Sequence, residues 1–276
     1  MNKPIGIVGG DLRIARLAEL YKNEWRTIVS GDFGQENLRS CFSDFQNCDV
    51  IISGIPLSRN DGEIYAPFSD ETIYIDELFK QIKGKTFIAG VVKPKVYELA
   101  EKNDINIIDI YNNEKLTILN TIPTAEGAIR AAIEESEITI HNSKILILGF
   151  GRIGKTLSKI LYGMEAKVFC VARKEEDLAW IETYGYNKVK LEELDENIGK
   201  YDYIFNTIPA IILNKKRLYK IKKECVIIDL ASLPGGVDFE TAKKIGVKAL
   251  LLPGLPGKVA PLTSAKYIKE VLDEII

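Results

Sequence analysis

KILILGFGRIGKTLSKILYGM, residues 144–164, decides the fold. Five apolar-flanked residues, KILIL, read as a buried strand, and the residues from Arg152 onward carry the 3.6-residue period of a helix. Between them stands GFGRIG, residues 149–154. Gly149 permits the tight turn, Gly151 lets a pyrophosphate approach the backbone, and Gly154 lets helix pack on sheet, with phosphate at the helix N-terminus. Arg152 and Ile153, inside the loop, join the same candidate site. A bare GxGxxG also arises in ordinary glycine-rich turns; strand, helix and the following strand KVFCVA (167–172), in this order, favour a dinucleotide site.

At the end of that second strand, where a carboxylate usually accepts the ribose hydroxyls, the chain has Arg173 and Lys174. A carboxylate would repel a 2′-phosphate, whereas a guanidinium binds one through paired charge-assisted hydrogen bonds. The cofactor expected is NADP. The bland alternative is a solvated Arg-Lys pair. NTIPA (206–210) and DLASLPGGVD (229–238) follow later strands and fall where such a fold places the nicotinamide, which makes Thr207, Pro209, Asp229, Ala231 and Ser232 further cofactor candidates.

Outward from this motif the chain alternates short apolar runs with amphipathic stretches, twice over. The first half offers PIGIVG (4–9), RTIVS (26–30), DVIIS (49–53), TFIAG (86–90) and INIID (105–109); the second offers KILILG (144–149), KVFCVA, DYIFNT (202–207), CVIIDL (225–230) and VKALLL (247–252). The fold class expected is α/β, with two domains, each a parallel-sheet Rossmann-like unit. Residues 1–121 form a substrate or partner domain. Residues 122–276 hold NADP, open on a connecting helix, and end in a C-terminal helix able to return to the first domain. That connecting helix, IPTAEGAIRAAIEES (122–136), starts at Pro123 and puts Ala125, Ala128, Ile129, Ala132 and Ile133 on one face. The loop 54–75 is too long for a simple turn, and such loops bind ligands. Substrate is expected in the cleft between the halves.

The 276 residues are 46% hydrophobic and 28% charged, enough for two domains with cores. With 37 basic and 39 acidic residues spread evenly, no stripe suggests nucleic acid and no polybasic segment a membrane. MNKPIGIVGG lacks signal-peptide character, so a cytoplasmic location is expected. Cys41, Cys48, Cys170 and Cys225 show no CxxC spacing and read as free thiols. Nor is there an HExxH, a Cys/His cluster or a GxSxG elbow; no metal is expected. The single histidine, His141, precedes the glycine motif, which argues against the His-dependent D-2-hydroxyacid dehydrogenase reaction.

IPTAEGAI, GFGRIGKTLS, NTIPA, DLASLPGGVDF and PGLPGKVAP, in this order, together with GIVGGDLR (6–13) and GIPLSRNDG, resemble the dipicolinate synthase A-subunit family along nearly the whole chain. The Asp11-Leu12-Arg13 segment departs from the family's pattern. The resemblance implies NADP-dependent oxidation of a dihydrodipicolinate-like ring, or dehydration of its hydroxylated precursor followed by oxidation, in the mother-cell cytoplasm of a spore-forming bacterium. It also implies a hetero-oligomer with a separate flavoprotein-like B-subunit. By family position, Glu126 and Lys258 are the acid-base candidates; first-turn carboxylate and solvated loop charge are their bland readings. For the dicarboxylate substrate, loops at strand ends offer Ser58 with Arg59, Thr124 at a helix start, and Lys258 beside Gly257. Two alternatives stay open: an NADP sensor or scaffold without turnover, and a shikimate-dehydrogenase-like reductase, for which Lys93 and Asp109 make a poor Lys–Asp pair.

Overall fold

The computed structural model describes residues 4–22, 27–30, 42–60 and 62–276. The readings that fall on residues 1–3, Arg26, Cys41 and Asp61 lie outside the described residues. The chain divides into two compact units, residues 1–120 with 260–276, and residues 121–259.

The first unit holds a five-stranded sheet: β1 (Ile5–Val8), β2 (Thr27–Ser30), β3 (Val50–Ile52), β4 (Thr86–Ala89) and β5 (Asn106–Asp109), in the order β2-β1-β3-β4-β5. All four pairings are parallel. The helix Leu12–Tyr21 lies against the C-terminal helix Pro261–Leu272, burying Ile14, Leu17 and Ala18 against Ala265, Ile268 and Leu272. The Tyr21 hydroxyl donates to Asp273 at 2.9 Å, and Lys115 pairs with Glu270 and Glu274 at 2.8 and 2.6 Å.

The second unit holds β6 (Lys144–Leu148), β7 (Lys167–Ala172), β8 (Asn187–Lys190), β9 (Tyr203–Asn206), β10 (Val226–Asp229) and β11 (Lys248–Leu251), ordered β11-β10-β9-β6-β7-β8 and parallel throughout. Both faces are covered, so the central strands read as continuous apolar runs. Ile145, Ile147, Cys170, Phe205 and Ile228 pack on one face, and Leu146, Leu148, Val171, Ile204 and Ile227 on the other. This is the doubly wound order of dinucleotide-binding sheets: the chain winds outward from β6 to β8 on one side and from β9 to β11 on the other, with the switch point between β6 and β9.

Two expectations need correction. The edge strand β8 was not anticipated: NKVK buries only Val189, so it shows no apolar run. The helix read from Pro123 begins at Thr121 and ends at Glu134, with Pro123 third and buried. Ile133, expected on the buried face, is 48% exposed, and Gly127 is buried on another side of the helix. The short helix Leu255–Val259 crosses there: a Cβ on Gly127 would lie 2.8 Å from Val259 Cγ2 and 3.2 Å from Leu255 Cδ2. Among the described residues no helix is long and apolar enough to cross a membrane.

Candidate functional site

In the second unit the three motif glycines meet three different demands. Gly149 turns at φ +98°, and a Cβ there would stand 2.5 Å from Thr207 Oγ1, across the β6/β9 switch point. Gly154 sits in the helix Arg152–Gly163, where a Cβ would collide with the Gly149 carbonyl. Gly151 is the N-cap of that helix, and among the described residues, apart from its chain neighbours, nothing lies within 4 Å of where its Cβ would be. Two glycines serve the chain's own packing; the middle one fronts open space at a helix N-terminus. The cradle therefore fits a pyrophosphate. Arg152 is exposed beside it, and Ile153 packs on the core. Phe150, between the first two glycines, is buried and lies 6.4 Å from both Tyr184 and Tyr186, anchoring the loop from below.

At the end of β7, Arg173 and Lys174 are both exposed. Arg173 makes no hydrogen bond or ion pair among the described residues, leaving its guanidinium available to an anion. Lys174 is the N-cap of the helix Glu175–Thr183, whose first turn carries Glu175, Glu176 and Asp177; Glu175 pairs with Lys190 at 3.4 Å. Beneath, Cys170 is fully buried 3.1 Å from Ser158 Oγ, and burial pushes its thiol up to about 12. Cys48 and Cys225 are also buried and in no disulfide among the described residues.

The loops after β9 and β10 are locked to each other. Thr207 donates to the Leu148 carbonyl at 2.9 Å and Pro209 is exposed. Asp229, expected to face the cofactor, instead points inward with no exposure: it accepts from Asn206 Nδ2 at 2.8 Å, Ala231 N at 3.0 Å and Gly236 N at 2.6 Å. These three bonds hold the carboxylate inside, and its full burial keeps it from direct ligand contact. They also explain the PGG run, because a Cβ on Gly235 would lie 2.6 Å from Asp229 Oδ2 and one on Gly236 would strike the Asn206 carboxamide. Ala231 is buried, Ser232 exposed, and Leu233 is 76% exposed. Sequence reasoning passed over Asn206 and Leu233. The only signal for Leu233 was a large apolar residue inside a Gly-Pro turn.

Glu126 and Lys258 are exposed, on the two helices that cross at Gly127, and form no ion pair with each other. Gly257 is buried. Thr124, half-buried, is the fourth residue of its helix and not its cap, and Pro123 removes one first-turn N–H donor. His141 is exposed in the turn before β6, at the opposite end of that strand from the glycine loop, and lies 3.7 Å from Glu165.

The first unit also has a glycine pair after its first strand, but the chain fills that crevice itself. Gly10 N donates to the Tyr65 carbonyl at 2.7 Å, Tyr65 N to Leu57 at 2.7 Å, and Leu57 N to Gly90 at 2.8 Å. A Cβ on Gly54 would lie 2.8 Å from Gly10 Cα. Asp11 caps the helix Leu12–Tyr21 and is paired with Arg13 at 2.8 Å, so a carboxylate already occupies the place a phosphate would take. Arg13, buried, also donates to the Ile55 carbonyl. Ser58 is buried and shares a hydrogen bond with Asn60. Arg59 stacks 4.0 Å from the Tyr65 ring centroid and donates to its hydroxyl at 2.7 Å.

Residues 4–111 match the N-terminal domain of the dipicolinate synthase A-subunit, and residues 115–232 match the NAD-binding domain of D-isomer specific 2-hydroxyacid dehydrogenases. The dipicolinate synthase A-subunit of Bacillus subtilis is 33% identical over 99% of this chain and 95% of its own length. A crystal structure of the corresponding protein from Bacillus halodurans superposes with a TM-score of 0.90 at 30% identity, covering 99% of this chain and 97% of that one. A crystal structure of the Bacillus subtilis protein gives 0.87 at 30% identity, over 100% and 96%. With similarity spanning both units and a nicotinamide-dinucleotide domain in the second, the chain belongs to the dipicolinate synthase A-subunit family.

Proposed function

We propose that the chain is the A-subunit of an NADP-dependent dipicolinate synthase, oxidising dihydrodipicolinate, or dehydrating and oxidising its hydroxylated precursor, with a flavoprotein-like B-subunit in the mother cell during sporulation. The observation that carries this reading is the full-length similarity to a dipicolinate synthase A-subunit, joined to an open glycine cradle and an exposed Arg173 that makes no ion pair among the described residues. NADP, when bound, supplies the hydride acceptor. The protein's part is to hold and to shield. The Gly149–Gly154 turn and the N-terminus of the helix Arg152–Gly163 bind the pyrophosphate, and Arg173 and Lys174 bind the 2′-phosphate. Thr207, Pro209, Ala231 and Ser232 border the nicotinamide.

Loss of a hydride and a proton leaves an aromatic ring, so product stability supplies driving force and the chain needs mainly to position the ring and exclude water. Where water is also lost, Glu126 and Lys258 move the proton. Ser58, Arg59, Thr124, Gly257 and Lys258 hold the two carboxylates. The test is an assay of NADPH and dipicolinate formation from the hydroxylated precursor, with this chain alone and together with its B-subunit. Little product from the chain alone, and a large increase when both proteins are present, is the expected result; equimolar NADPH identifies the oxidant. An NADP sensor would bind the dinucleotide and make no product under either condition.

A further inference from the structure

We propose that Asp229 is a positioning residue for the nicotinamide half of the cofactor, acting through the two loops it ties together rather than by touching the ligand; this rests on the NADP reading above. Asp229 and Asn206 end neighbouring strands and sit directly opposite each other in the β9/β10 register. Both are fully buried. Asn206 Nδ2 donates at once to Asp229 Oδ1 at 2.8 Å and to the Ile208 carbonyl at 3.0 Å, while its Oδ1 accepts from Ile208 N at 3.2 Å. Asp229 in turn draws in Ala231 N and Gly236 N, one from each end of the turn that presents Leu233. Gly236 completes the circuit by accepting at its carbonyl from Ile212 N and Leu213 N, both at 3.0 Å.

A single carboxylate thus fixes residues 206–213 against residues 229–236, on the carboxyl edge of the sheet and on the far side of the switch point from Arg173. Carboxylate chemistry is required. Three N–H donors converge on its two oxygens, whereas a carboxamide would turn an NH2 toward one of them and open the circuit. A buried carboxylate is a costly way to hold a turn when apolar packing would serve for stability alone. What it adds is a defined loop geometry, which a ligand in this half of the site would require.

The experiment compares two probes on the full chain: NADPH, and adenosine 2′,5′-bisphosphate, which keeps the Arg173 end and lacks the nicotinamide. Asp229→Asn is expected to weaken NADPH by about tenfold or more, the scale of one lost hydrogen bond to a charged group, and to leave the bisphosphate within about twofold. Leu233→Ala, on the exposed tip of the same turn, tests the idea without entering the core and should weaken NADPH alone, by about threefold to tenfold. Parallel loss of both probes in a folded Asp229→Asn protein, or unchanged NADPH affinity in either variant, overturns the proposal. If the unmodified chain binds neither probe, the cofactor reading falls and this inference with it; binding of both probes with no difference in the variants removes this inference only.

Discussion

The backbone N–H of Val91 donates to the Asp109 carboxylate at 3.1 Å, and Val91 stands at φ +57°, a left-handed conformation that a β-branched side chain rarely adopts. The same carboxylate takes Val92 N and Tyr111 N, each at 2.9 Å, so the ends of β4 and β5 are clamped by one side chain. Replacing Val91 with glycine is expected to relieve strain and raise unfolding free energy by about 1 kcal/mol. Asp109→Ala, which leaves three N–H groups without their acceptor, should lower it by about 1–3 kcal/mol. Urea unfolding of the two variants measures both, and a destabilised Val91→Gly protein would show that the strain is absent.

Gly151 and Gly154 separate ligand binding from folding. Gly151→Ala projects its methyl into open space, so thermal stability should hold while NADP affinity falls by at least about tenfold, the effect of a methyl where the pyrophosphate must approach the backbone. Gly154→Ala drives its methyl into the Gly149 carbonyl and should destabilise the second unit itself by about 1–3 kcal/mol. Calorimetric titration and thermal unfolding on both variants distinguish the two; equal stability loss would refute the division of roles.

Removing the Arg173 guanidinium with Arg173→Ala should cost NADP about 1.5–3 kcal/mol and leave NAD almost unaffected, erasing most of the preference between them. Equal affinity of the unmodified chain for NADP and NAD would falsify the 2′-phosphate assignment.

Lys258→Ala and Thr124→Val should each weaken dipicolinate by about 1–3 kcal/mol while NADP affinity stays the same. Equilibrium dialysis with labelled dipicolinate reads this directly. Normal affinity in both variants would remove Lys258 and Thr124 from the substrate site.

Alkaline pH should unfold the protein through groups that burial keeps protonated. Tyr201 is raised to about 12, first by burial and then by Glu193, and burial raises the Cys170 and Cys225 thiols to about 12. The folded protein therefore holds more protons than the unfolded chain from about pH 9 to 12, and stability falls as pH rises across that window. Among the described residues the buried Tyr201 hydroxyl has no hydrogen-bond partner. Tyr201→Phe is accordingly expected to be neutral or stabilising at pH 7 and to flatten the decline above pH 10. Urea midpoints across pH 7–11 test the sign, and a midpoint that rises with pH contradicts it.

What could be read from the sequence followed what each residue's chemistry makes unambiguous. The glycine triplet was legible because each of its members answers a backbone demand that no other residue meets. The ten apolar strands were legible because their runs are short and bounded. β8 was hidden because an edge strand with Val189 as its one buried residue, among lysines, looks like loop. The inward turn of Asp229 was hidden for a different reason. All four residues of β10 are buried, and without alternation the sequence does not say which way its last side chain points. Ile133 was misplaced because it stands at the margin of the apolar stripe, about 80° round the helix from Ala125, in the last turn, while Gly127, about 200° from Ala125, is buried on another side where the second helix crosses.

The filled crevice of the first unit has a consequence for how the protein responds to its surroundings. Leu57 and Tyr65 make a covalently tethered occupant, present at the same effective concentration whatever the cell contains. Its main-chain bonds to Gly10 and Gly90 have already met the ordering cost that a free ligand would have to meet on arrival. Among the described residues the first sheet's glycine turn is thus occupied by its own chain, and the open glycine cradle is that of the second unit.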